Sequence, residues 1–76
     1  MNDELRDSLI TILEVHKKYL MAVMNLVHQG ADKQRIIDNL SDVWMITYLY
    51  IDLINKGDKL IIDFANKLRS YYERNN

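Results

Sequence analysis

The chain has no cysteine and no proline, and only two of its 76 residues are glycine. Without cysteine there is neither a disulfide framework nor a zinc–thiolate site, the usual staples of a small domain. A single domain of this size buries only about 60% of the surface its unfolded chain would expose. Self-association is therefore the expected reinforcement. An excess of charge is missing as well, since ten Lys and Arg face eleven Asp and Glu for a formal net charge of -1. The first 38 residues carry five basic and six acidic side chains, and the last 38 carry five of each. Neither half is a basic arm, which argues against nucleic acid as the partner. The sequence also lacks a glycine-rich phosphate loop and paired histidines, so we expect no enzyme, no cofactor and no catalytic residue. Its first residues, Met-Asn-Asp-Glu-Leu-Arg, lack the basic-then-apolar order of a signal peptide, and neither end shows a lipidation motif. A cytoplasmic protein is the expectation.

What the chain does have is a segment apolar around most of its girth. From Val43 to Ile54 only Asp52 is charged. A helix with no continuous polar face has to be surrounded, and twelve residues fall short of the roughly 20 that cross a bilayer. No membrane is implied, and protein must do the covering.

Gly30 and Gly57 each fall where one apolar periodicity stops and the next begins, and Asp32 and Asp58 follow within two residues. Glycine tolerates the conformation that closes a last helical turn, and aspartate can receive the free amides of the next. This punctuation predicts an all-α fold in a single domain over residues 1–76, with helices over roughly 3–29, 32–55 and 58–73. Connections this short lay successive helices antiparallel, so the architecture expected is a long helical hairpin plus a shorter third helix.

On the first helix Leu5, Leu9, Ile12, His16, Tyr19, Val23 and Leu26 follow alternating steps of four and three, a core-facing seam. Met21 and Met24 form a second patch away from it. The second helix presents Ile36, Leu40, Val43, Trp44, Thr47, Tyr50, Ile51 and Ile54 on one side, while Met45, Ile46, Leu49 and Leu53 occupy the rest of its circumference. The third puts Leu60, Ile61, Phe64, Ala65, Leu68, Tyr71 and Tyr72 inward. One short helix cannot cover the second helix all round. A homodimer is therefore expected, with Met21, Met24, Met45, Ile46, Leu49 and Leu53 at its interface.

His16 and Thr47 stand at the middle of their stripes, and Tyr71 arrives at about the same height. Buried unpaired, each would cost on the order of 1–3 kcal/mol, so a hydrogen-bonded polar layer that fixes helix register is expected. Asp38 and Asp42, one turn apart, are the only candidate metal ligands, since magnesium accepts carboxylate oxygens. More often such a pair is a solvated face. Lys33 and Arg35 place positive charge at the start of the second helix, against its dipole. The bases Lys56, Lys59, Arg69 and Arg74 are the residues a nucleic acid would use.

Two resemblances bear on architecture. The run from Asn39 to Arg74, with Leu40-Ser41-Asp42-Val43 opening an apolar helix, Gly57-Asp58 at the turn and Lys67 and Arg74 on the last helix, resembles the second half of the all-α nucleoside triphosphate pyrophosphatases of the MazG type. That family holds magnesium between paired carboxylates. Here Asp42 alone matches, Asn39 stands at a glutamate position, and the first helix has no paired glutamates, Glu14 standing alone in its middle, so the resemblance implies the fold and not the activity. A tight turn followed by Ala31-Asp32-Lys33-Gln34 opening a second long helix is similar to the Rop-like plasmid copy-control proteins, which implies a hairpin that dimerises and, in that family, binds paired RNA loops. The third helix and the near-neutral charge depart from that pattern. The function expected is a non-catalytic helical regulator, inhibitor or adaptor, homodimeric and acting on a protein partner; the alternatives are a degenerate or minimal nucleoside triphosphate pyrophosphatase of the MazG type using Asp38 and Asp42, and a Rop-like nucleic-acid-binding regulator.

Overall fold

The structure is a computed structural model that describes the backbone of residues 1–75 and the side chains of residues 1–73. Three helices account for nearly all of it: α1 over Asp3–His28, α2 over Lys33–Lys56 and α3 over Asp58–Asn75. Local chemistry sets each boundary. Asn2 caps α1, its Oδ1 accepting from the Leu5 amide at 2.7 Å. At the other end Gly30 has φ +77°, which lets the Ala31 amide reach back to the Leu26 carbonyl and the Gly30 amide to that of Val27. These two bonds satisfy carbonyls the helix would otherwise leave open. Asp32 caps α2 through the Arg35 amide at 2.9 Å. Asp58 is the first residue of α3, where the expected helix also starts, and sets a carboxylate at the positive end of that helix. Gly57 alone joins α2 to α3, at φ 142° and ψ 155°.

The core lies where the three helices meet. Ile12 of α1, Tyr50 of α2 and Ile61 and Ala65 of α3 form one buried cluster, with Leu5, Leu9, Ile46, Leu53, Phe64 and Leu68 packed against it. Ser8 is buried beside this line without cost, because its hydroxyl donates to the Glu4 carbonyl at 2.8 Å. All three helix pairs are in contact.

These contacts place α3 on one face of the α1–α2 hairpin, and they revise the inward face of α2. Val43 and Tyr50 are buried there, and Ile46, Thr47 and Leu53 are half-buried. Leu40, Trp44, Ile51 and Ile54, expected inward, are exposed. The reason is that α2 carries two apolar stripes, and α3 is wide enough to cover only one.

The molecule is consequently a slab, 42 × 28 × 17 Å. Its radius of gyration is 14.2 Å, against about 11 Å for a compact chain of this length. Its accessible surface is 5926 Å², where a compact monomer of this mass shows roughly 4,900 Å². Among the described residues no helix is long and apolar enough to cross a membrane.

Candidate functional site

A polar layer crosses the hairpin at mid-height. Thr47 Oγ1 lies 3.3 Å from His16 Nε2 and also donates to the Val43 carbonyl at 3.0 Å. A hydroxyl has one proton. With that proton committed to Val43, Thr47 Oγ1 is free to accept from the imidazole at Nε2. Nδ1 is buried and has no partner among the described residues. The Tyr50 ring meets the imidazole edge-on at 5.7 Å and continues to Phe64 at 5.8 Å.

Tyr71, expected in this layer, is instead 62% exposed. Tyr72 takes the inward place, because Ile61, Ala65, Leu68 and Tyr72 repeat at helical spacing and Tyr71 falls 100° round the helix from Tyr72. Tyr71 packs its ring edge-on against Tyr72. Tyr72 shares a side-chain hydrogen bond with Tyr19 and carries the Lys18 ammonium 5.0 Å above its ring.

Two of these phenols are held above their ordinary value of 10.0. The hydrogen bond to Tyr72 raises Tyr19, with burial and the nearby Tyr72 adding to it, and burial raises Tyr50, followed by repulsion from Tyr19 and Tyr72 once ionised. The folded chain thus keeps these protons after the unfolded chain has lost them. Stability is fully present below pH 10 and falls as pH rises through the folded values. Denaturant midpoints measured on either side of pH 10 should show the loss, and Tyr50→Phe should reduce it. An unchanged alkaline loss in Tyr50→Phe would remove Tyr50 as its source.

His16→Leu is expected to hold or raise stability, by up to about 1 kcal/mol, because it deletes a buried ring nitrogen that has no hydrogen-bond partner among the described residues. Thr47 keeps its bond to Val43. His16→Ala, which leaves a cavity, should cost more than Leu. Chemical denaturation of the two variants ranks them, and a large loss in His16→Leu would give the imidazole a task this geometry does not show.

The acidic candidates stay apart from any such layer. Asp38 accepts from Gln34 Nε2 at 2.9 Å, Asp42 is exposed, and no group of three or more His, Cys, Asp or Glu gathers among the described residues. The basic residues are likewise dispersed: Lys56 pairs with Asp52 at 2.8 Å, and Arg69 donates to Thr11 at 2.8 Å and to Asn66 at 3.1 Å. The Arg74 side chain lies outside the described residues.

Of the six residues expected at an interface, Met21, Met24, Met45 and Leu49 are exposed, while Ile46 and Leu53 pack against the chain's own core. The larger apolar surface lies elsewhere. Leu13 and Leu20 of α1 and Leu40, Trp44 and Ile51 of α2 are all exposed, and Met24 belongs with them. On both helices these positions lie roughly 120–180° round the axis from residues that face α3, such as Val15 on α1 and Ile46 and Leu53 on α2. They form the open face of the hairpin. The sequence signal was present in the repeated spacing of Leu40, Trp44, Thr47 and Ile51, but that spacing does not say which of two stripes turns inward.

No family model matches this chain, and neither a curated protein nor a solved structure matches it.

Proposed function

We propose that the chain is a non-catalytic helical interaction module, a regulator, inhibitor or adaptor that works as a homodimer on a protein partner. One observation carries the reading. Among the described residues 18 large apolar side chains are exposed and seven apolar residues are buried, the reverse of what a self-sufficient domain shows. A hairpin face on which Leu13, Leu20, Met24, Leu40, Trp44 and Ile51 are all exposed marks a site of association. The polar residues support the same reading, because Ser8 bonds to backbone, His16 and Thr47 bond to each other, and His16 Nδ1, the buried polar atom left without a partner among the described residues, does not share a ligand position with any other polar group.

Sedimentation equilibrium tests the dimer, with an expected mass of twice 9.1 kDa. Titration calorimetry with magnesium and a nucleoside triphosphate tests the non-catalytic reading, and no heat is expected. A monomer at the highest soluble concentration removes the first, and saturable heat removes the second.

A further inference from the structure

We propose that the second copy docks on the open face of the α1–α2 hairpin, opposite α3, so that two slabs stack into a four-helix core with each α3 outside. This inference rests on the homodimer reading and specifies the surface that makes it.

Registration along the hairpin is fixed by the His16–Thr47 contact. Counting outward from it in antiparallel directions brings Leu13 level with Ile51, Leu20 with Trp44 and Met24 with Leu40, each to within about one residue's rise of 1.5 Å. These are three cross-helix apolar rows, and the His16–Thr47 layer sits between the first two. All six side chains are exposed in the single chain, from Leu20 at 42% to Leu13 at 62%. On α2 the flank carries no charged residue between Ile37 and Ile54, and on α1 Lys17 alone is charged, within the face and about 20° round the helix from Met24. Its long apolar stem can lie along the rows while the ammonium reaches the rim. A strongly charged partner would meet this single cation, whereas a second copy would meet matching apolar rows.

Area and shape select the second copy. The chain exposes about 1,000 Å² more than a compact monomer of its mass, and a standard interface buries about 800 Å² per partner. With extents of 42 × 28 × 17 Å the chain is flat, and a second copy on an open face makes the assembly more compact than either chain alone. Both helices present apolar residues at the same levels, so the face is its own complement under a two-fold axis. Trp44, 61% exposed and braced edge-on by Tyr48 at 5.1 Å, supplies an aromatic anchor. A shallow groove lined by Trp44, Thr47, Tyr48 and Ile51 lies beside it to receive the facing copy. The His16–Thr47 layer then lies inside a four-helix core, where a single polar layer fixes register.

Two measurements on the whole chain decide it. Trp44 is the only tryptophan, so its emission is expected to be blue-shifted in the dimer and to redden as dilution dissociates it. With no native cysteine, Ile51→Cys and Leu49→Cys can each be alkylated at a single thiol. The two parent side chains have matched exposure, 49% and 43%, and stand on opposite flanks of α2. Ile51→Cys should react at least about tenfold more slowly at dimer concentrations, because only dissociated chains offer it. Water-exposed emission together with equal rates, or with Leu49→Cys the slower, in a protein that sediments as a dimer overturns this face and leaves the dimer standing. A wild type that sediments as a monomer overturns both.

Discussion

Ile61→Ala is expected to leave the chain largely unfolded at room temperature, read as loss of helical circular dichroism and of a cooperative denaturation transition. Ile61 has no exposed surface and touches the meeting point of all three helices. Truncating such a residue costs about 2–5 kcal/mol through lost transfer energy and the cavity left behind. A single core in a chain this short supplies only about 3–5 kcal/mol, so the loss is comparable to the whole. Leu60→Ala is the control, one residue away on the same helix but 45% exposed. It should cost well under the Ile61 change, and alanine's helix propensity offsets part of it. Equal losses at 60 and 61 would mean that the buried cluster is not where stability resides.

Gly57→Ala is expected to destabilise by about 1–3 kcal/mol, against the usual sign for a glycine-to-alanine change. Nothing lies within 4 Å of where the new methyl group would sit, so crowding is not the cause. The backbone is. At φ 142° and ψ 155° residue 57 occupies a region open essentially to glycine alone. Gly30, at φ 77°, lies near the left-handed helical region that other residues enter at about 1–2 kcal/mol, and Gly30→Ala should cost less. Denaturant midpoints at constant m-value give both numbers. A Gly57→Ala protein as stable as the wild type would show that the joint can adopt another geometry.

Both glycines are legible in the sequence alone, because each interrupts an apolar period and an aspartate follows within two residues. Helix ends read from them fall within one or two residues of those observed. The His16–Thr47 pairing was legible for a similar reason, since two polar residues at the centres of facing stripes have to answer each other. Legibility failed where hydrophobicity was abundant. On α2, Leu40, Trp44, Ile51 and Ile54 are as apolar as Ile46 and Leu53, and composition cannot rank them. What decides is where α3 lands, and that depends on the backbone angles of one residue at the joint. Tyr71 and Tyr72 show the same limit at finer scale, because neighbouring identical side chains differ by 100° of rotation and nothing in the local spelling separates inside from outside.

The one-residue joint also carries an alternative topology within it. If residue 57 relaxes into right-handed helical angles, α2 and α3 fuse into one uninterrupted rod from Lys33 to Asn75, roughly 60 Å long at 1.5 Å per residue. The buried edge formed by Ile61 and Ala65 would then leave its own hairpin and could be satisfied only by another molecule's, an exchange of identical elements between chains. Such an exchange would have to begin at Gly57, because its backbone angles alone separate the two helices.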